Sequence, residues 1–252
     1  MKKIALITGA TSGIGKATAQ ILAENGYDLI ITGRRGELLN DLSLNIRSVT
    51  DADVISICFD VRDMNQVENA INSLTGKWTE IDLLINNAGL AVGFEPVHLG
   101  VVDDWERMID TNVKGLLYIS RLISAGMVLR RSGHIINLSS VASRDVYPNG
   151  AAYCGSKHAV QAITKAMRIE LLQYGIKVSS ISPGMVDTEF SKVRFKGDQD
   201  RADNVYKGLT PLYAVDIAEA ILFMVTRPKH VNIDDILIMP TDQAGTRDYH
   251  RR

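Results

Sequence analysis

The chain is poor in the residues on which small or specialised proteins depend. Two cysteines, Cys58 and Cys154, among 252 residues exclude a disulfide framework, and neither has partners at metal-ligand spacing. Such usage suits a reducing compartment, so a cytoplasmic setting is expected. Aromatic residues make up 6% of the chain, and its two tryptophans, Trp78 and Trp105, read as packing residues. Charge of neither sign prevails. Against 29 Asp and Glu stand 28 Lys and Arg, and the net charge of −1 excludes a broad polyanion-binding face. Apolar runs are strand-sized, too short to span a bilayer. Met1-Lys2-Lys3 leads straight toward a strand, without the apolar stretch of a secretory signal. The five histidines are scattered, and no metal site is expected. No repeat or low-complexity linker divides the sequence, so residues 1–252 are expected to form one domain.

What is present is a regular alternation. Short apolar runs without polar alternation, at 4–7, 29–31, 54–59, 81–85, 135–138, 178–181 and 233–239, read as buried parallel strands. Between them lie helical patterns: from a glycine-rich turn to about 25, then 37–48, 66–74, 103–130, a stretch through Tyr153 to about 174, and 214–225. This order predicts an α/β protein: a single-domain, Rossmann-like, doubly wound parallel sheet of seven strands with helices on both faces. In such sheets the ligand lies beyond the carboxyl ends of the strands.

The turn after the first strand is Thr8-Gly9-Ala10-Thr11-Ser12-Gly13-Ile14-Gly15, and a helix follows. Backbone N–H groups at a helix N-terminus bind anions, and absent side chains let a pyrophosphate approach. The spacing is G-x-x-x-G-x-G rather than G-x-G-x-x-G. About twenty residues further on, an NAD site carries an acid for the ribose 2′-hydroxyl. Here Gly33 is followed by Arg34 and Arg35, whose guanidinium groups suit a 2′-phosphate and so favour NADP. Arg34 is the better candidate of the two. Asp60 and Asn86-Asn87-Ala88-Gly89 also follow strands and should gather at the same sheet edge. Asp60 reads either as an adenine contact or as a loop cap.

Tyr153 and Lys157 stand at i and i+4, which puts them on one helical face about 5–6 Å apart. A free phenol has a pKa of about 10 and is a poor base at neutral pH. A neighbouring ammonium favours the phenolate, so the pair is a candidate acid/base catalyst.

Thr8-x3-Ser12-Gly13-x-Gly15, Asp60, Asn86-Asn87-Ala88-Gly89, Asn112, Ser140, Tyr153-x3-Lys157 and Pro183-Gly184 together resemble the short-chain dehydrogenase/reductase family, over nearly the whole chain. Gly89-Leu90-Ala91-x-Gly93-x-Glu95-Pro96, Asp104-Trp105-x2-Met108-Ile109-Asp110-Thr111-Asn112, the run from Thr188 to Asp198 and His230-Val231-Asn232-Ile233 are similar to the bacterial NADP-dependent 3-hydroxy acid (serine or allo-threonine) dehydrogenases. The resemblance implies a catalytic set of Asn112, Ser140, Tyr153 and Lys157. Ser140 stands thirteen residues before the tyrosine. It also implies a cofactor site made of Gly9, Thr11, Ser12, Gly13, Ile14, Gly15, Arg34, Arg35, Asp60, Val61, Asn87, Ala88, Gly89, Tyr153, Lys157, Pro183, Gly184, Val186 and Thr188. Lys157 would lower the tyrosine pKa and hold the nicotinamide ribose, and Asn112 would hold a water in a proton relay to the lysine.

Residues 189–210 are polar and charged and read as a segment covering the substrate. Arg194 in that segment is the candidate for a substrate carboxylate, beside Ser140 and Tyr153 for the reacting oxygen. Cys154 and His158 should face away from the tyrosine. The resemblance further implies a homotetramer, with the tail 241–252 against a neighbouring subunit. The implied activity is hydride transfer between NADP and a 3-hydroxy acid such as L-serine, L-allo-threonine or 3-hydroxyisobutyrate. Two alternatives are an NADPH-dependent reductase of a 3-oxoacyl thioester or dicarbonyl, and a non-catalytic dinucleotide-binding regulator. The intact catalytic set weighs against the regulator.

Overall fold

In β1 (Lys3–Ile7) Ile4 and Leu6 point to one face, Ala5 and Ile7 to the other, and all four are buried. A strand with no solvent face must be covered on both sides by helices. The computed structural model, which describes residues 2–252, resolves this burial into two layers of helices around one sheet.

In chain order the elements are β1, α1 (Gly13–Glu24), β2 (Tyr27–Gly33), α2 (Gly36–Val49), β3 (Val54–Cys58), α3 (Met64–Asn72), β4 (Ile81–Asn86), α4 (Val102–Ile109), α5 (Leu116–Arg130), β5 (His134–Leu138), α6 (Ala151–Leu171), β6 (Lys177–Pro183), β7 (Val186–Asp187), α7 (Phe190–Arg194), α8 (Gln199–Asn204), β8 (Leu212–Tyr213), α9 (Ala214–Val225) and β9 (Asp235–Ile238). Seven strands pair in parallel in the order β3-β2-β1-β4-β5-β6-β9. Helices α1, α2 and α9 pack Leu22, Leu39, Ile46 and Ile221 against Ala5, Ile7 and Ile31. On the opposite face α3, α5 and α6 pack Val67, Ile119 and Val160 against Ile4, Leu6 and Leu84. The strand order reverses between β1 and β4, and their carboxyl ends open a crevice there.

Two local features differ from the sequence reading. The single helix expected over 103–130 is interrupted by a π-helical turn, Asp110–Gly115, that contains Asn112. Such a wider turn is a recurrent device at functional sites. A Cβ at Gly115 would come within 3.1 Å of the Val61 carbonyl oxygen, so glycine lets this turn lie against the loop after β3. The strands β7 and β8 form a separate two-stranded sheet that the sequence did not signal. The tail 241–252 is tied to its own chain by several hydrogen bonds. Arg252 N donates to Gly208 O (2.7 Å), Arg251 Nη2 to Val205 O (3.0 Å), and Thr246 Oγ1 to Asp145. No helix among the described residues is long and apolar enough to cross a membrane.

Candidate active site

The glycine turn is closed by contacts between the ends of β1 and β4. Gly9 (φ +67°) and Gly13 (φ +51°) adopt left-handed backbone that disfavours side chains. The buried Thr8 Oγ1 accepts from Asn87 N (3.1 Å) and Ala88 N (2.9 Å), and Asn87 Nδ2 donates to Thr8 O (2.8 Å) and Gly9 O (3.1 Å). A Cβ at Gly15 would stand 2.5 Å from Gly9 O and overlap the Asn87 amide. Gly15 therefore permits close packing of α1 under the turn and does not line the cleft.

One cleft collects Gly9, Thr11, Ser12, Gly13, Ile14, Arg34, Arg35, Asp60, Val61, Asn87, Ala88, Gly89, Ser140, Tyr153, Lys157, Pro183, Gly184, Val186 and Thr188. Asn112 lies behind its wall, and Arg194 lines a smaller adjoining cavity that shares Tyr153. At the far end, Arg35, the less favoured candidate in sequence, is folded over the glycine turn. It donates to Thr11 Oγ1 (2.8 Å) and Ser12 Oγ (2.9 Å) and pairs with Glu189 (3.0 Å). Burial raises the Glu189 carboxyl, but Arg35 and Ser12 outweigh it and hold it low. Arg34 is more than half exposed, 3.8 Å from Asp60. Asp60 is taken bidentately by Arg62, with Nε at 2.9 Å and Nη2 at 2.7 Å from Oδ2 and Nε at 3.1 Å from Oδ1. Its burial raises the carboxyl, and the bonds from Arg62 more than reverse that. The exposed Cys58 donates its thiol to Arg34 O (3.4 Å) beneath this end.

At the end where the catalytic set is expected, β5 leads to Ser140 and α6 delivers Tyr153 and Lys157. Ser140 Oγ accepts from Ala142 N (3.1 Å), and Ser140 acts on the Tyr153 phenol to lower its pKa. Lys157 Nζ donates to Leu138 O (2.9 Å) and stands 5.9 Å from the Tyr153 ring centre. Burial pushes the Lys157 pKa down to about 8. Burial is the largest influence on Tyr153 and raises its pKa, while Ser140 and the Arg194 charge pull downward without prevailing. Cys154, expected to face away, is buried in the same apolar cluster and adds a further upward push. His158 is turned to the main chain, with Nδ1 2.9 Å from Cys154 O.

Asn112 is held from three sides. Its Oδ1 accepts from Leu90 N (2.8 Å), and its Nδ2 donates to Leu90 O (2.9 Å) and to Ser156 Oγ (3.0 Å). A Cβ at Gly89 would lie 3.2 Å from Asn112 Oδ1 and 3.6 Å from Lys157 Nζ, so the two side chains flank the same glycine. Deeper still, Asn86 Nδ2 donates to Ser120 Oγ and Asn137 Oδ1, and Asn137 Nδ2 donates to Thr164 Oγ1 (2.8, 2.8 and 2.9 Å).

Segment 189–210 is built from α7 and α8, joined through Lys196 (φ +55°). Arg194 lies in an aromatic cage. Its guanidinium carbon is 4.7 Å from the centre of Phe94, 5.1 Å from Tyr147 and 5.9 Å from Tyr153. Lys196 reaches the buried Asp104 of α4 at 2.7 Å, and Gly93 N donates to Arg194 O (3.0 Å). The sequence reading missed Thr8 as a clamp and Phe94 and Tyr147 as site residues. Phe94 falls in the unread position between Gly93 and Glu95, and nothing local marks Tyr147.

The short chain dehydrogenase family model matches residues 3–199, and the chain belongs to that family. It is 43% identical over 242 residues to the NADP-dependent 3-hydroxy acid dehydrogenase YdfG of Salmonella typhi, with 96% of each chain covered. It is 40% identical over 251 residues to the NADP-dependent 3-hydroxy acid dehydrogenase of Schizosaccharomyces pombe, covering 99% of this chain and 97% of the relative. Among solved structures, the closed form of serine dehydrogenase complexed with NADP+ is similar with a TM-score of 0.92 at 40% identity, over 99% of this chain and 100% of the other. The chain is accordingly an oxidoreductase acting on CH–OH groups.

Proposed function

We propose that the protein is an NADP-dependent dehydrogenase of 3-hydroxy acids such as L-serine, L-allo-threonine or 3-hydroxyisobutyrate. The observation that carries this reading is the Arg194 guanidinium, 5.9 Å from the ring of Tyr153 and without a carboxylate partner among the described residues. In a 3-hydroxy acid the carboxylate lies two carbons from the alcohol carbon. One end can then meet Arg194 while the hydroxyl meets Tyr153 and Ser140. Segment 189–210, which carries Arg194, serves as the substrate cover in this reading.

The glycine turn fits a pyrophosphate, because side chains at Gly9 and Gly13 would be strained, and Arg34 and Arg35 fit a 2′-phosphate. The bound nicotinamide supplies the hydride acceptor and, when oxidised, a positive charge that favours the phenolate. Tyr153 takes the hydroxyl proton in oxidation and returns it in reduction. Ser140 donates to the substrate oxygen as charge develops there. Lys157 binds the ribose, and Asn112 supports a water toward Lys157. The Asn112 amide already holds Leu90 and Ser156, so its contact to that water comes from the remaining Oδ1 lone pair or from its main-chain carbonyl.

A panel assay tests the reading: NADP reduction with serine, allo-threonine and 3-hydroxyisobutyrate, beside NADPH oxidation with ketones lacking a carboxylate. Equal efficiency on both sets would overturn it. Tyr153→Phe should lower kcat about 10³-fold while NADP affinity, read by fluorescence titration, stays near that of the parent. Arg34→Ala should cut the preference for NADP over NAD about tenfold or more, read as the ratio of kcat/KM values.

A further inference from the structure

Tyr147 lies outside the expected catalytic and cofactor sets, yet its hydroxyl faces the Arg194 guanidinium. We propose that Tyr147 is a second ligand for the substrate carboxylate, donating its phenolic hydrogen to one oxygen while Arg194 binds the other. The proposal rests on the reading of Arg194 given above and extends it to a two-point site selective for carboxylates.

Three observations carry it. First, Arg194 Nη2 donates to Tyr147 Oη at 2.9 Å. A guanidinium has no acceptor, so the phenolic hydrogen cannot take part in that bond. Among the described residues the Tyr147 hydroxyl has no other partner, which leaves its hydrogen free for an acceptor beside Arg194. Second, Arg194 is fixed but not neutralised. Its guanidinium carbon lies 4.7 Å from the centre of Phe94 and 5.1 Å from that of Tyr147, and these two rings are 6.3 Å apart with 26° between their planes. Its Nε is buried without a partner. Arg35, Arg62 and Arg252 each have a carboxylate of this chain within 3.3 Å, and Arg194 has none. The nearby carboxylates are engaged elsewhere: Asp104 with Lys196 at 2.7 Å, and Glu95 Oε2 with Phe94 N at 2.7 Å. A partly buried cation without a counter-ion favours an arriving anion. Third, the phenol stays protonated. Burial pushes the Tyr147 pKa well above the ordinary tyrosine value, and the opposing charge of Arg194 does not restore it. A carboxylate needs two donors on one side, and an arginine edge beside a tyrosine hydroxyl supplies them.

The decisive variant is Tyr147→Phe, which keeps the ring on Arg194 and removes only the hydroxyl. On NADP-loaded enzyme we expect KM for L-serine to rise about tenfold with kcat within about twofold, and the dissociation constant of malonate by calorimetry to rise by a similar factor. Turnover of ethanolamine, the same amino alcohol without the carboxylate, should not change. Arg194→Ala is run beside it. Selective loss on serine and malonate in both variants supports the proposal. If Arg194→Ala is selective and Tyr147→Phe matches the parent or weakens both substrates equally, Tyr147 merely props the arginine and the proposal fails. If neither variant alters malonate binding, the Arg194 reading fails and this one with it.

Discussion

Asn112 and Lys196 are held in opposite ways. At the rear, behind the wall of the cleft, Asn112 is buried, and its amide pairs with both backbone groups of Leu90 and with Ser156 at 2.8–3.0 Å. At the front, in the segment that carries Arg194, Lys196 is half exposed and pairs with the buried Asp104. Its neighbour Arg194 is positioned by two nearby rings, one bond to the Tyr147 hydroxyl and one main-chain bond. The rear wall is thus fixed by hydrogen bonds where water cannot compete, and the front wall by charge and stacking that water and salt weaken. Parts that act on protons need a fixed geometry. Parts that admit and release substrate need contacts that break cheaply.

The sharpest way to break this contrast is Asn112→Ala. It strips the buried Leu90 N–H and C=O of their partners, and an unpaired group costs roughly 1–3 kcal/mol. We expect a loss of about 2–4 kcal/mol in urea unfolding; a loss below about 1 kcal/mol would mean the rear wall does not depend on this amide.

A second, smaller effect comes from His134 at the start of β5. It is buried, with Nε2 2.9 Å from Ser179 Oγ, and burial drives its pKa down to about 3. Between pH 6.5 and 3 the unfolded chain binds a proton that the folded chain refuses, so stability falls as pH falls, by about 1.4 kcal/mol per unit for this group. Replacing His134 by Gln should flatten the decline in unfolding free energy between pH 6.5 and 5 by about 2 kcal/mol. An unchanged slope would show that the imidazole takes up its proton inside the fold.

The smallest expected effect is at the front. Lys196→Met should cost about 1 kcal/mol or less in stability, because the ammonium is half in solvent. It should still raise KM for the hydroxy acid a few-fold, and added salt should shift the parent enzyme in the same direction. A large stability loss without a KM effect would reverse the assignment of the two walls.

How much of this was visible in the chain follows the same division. The strands were legible because burial on both faces leaves short apolar runs such as Leu29-Ile30-Ile31, and Ala214–Val225 was legible from its period. Most cleft residues were legible because they follow strands, and Tyr153 and Lys157 because they stand at i and i+4. The π turn was not, since one extra residue in a turn leaves no compositional mark and depends on Leu90, 22 positions away. The cage around Arg194 joins Phe94, Tyr147 and Arg194 across separate loops, which spacing cannot reveal. An i, i+4 ammonium can be counted from sequence, whereas the depth of burial that raises the Tyr153 pKa cannot.

The thiol beneath Arg34 has a practical side. Cys58 is exposed and Cys154 is buried, so a maleimide dye should attach to the native chain at one position. That position touches the main chain of an arginine lining the cofactor cleft. The fluorescence of the attached dye would report occupancy of that end of the cleft without any change to the protein sequence.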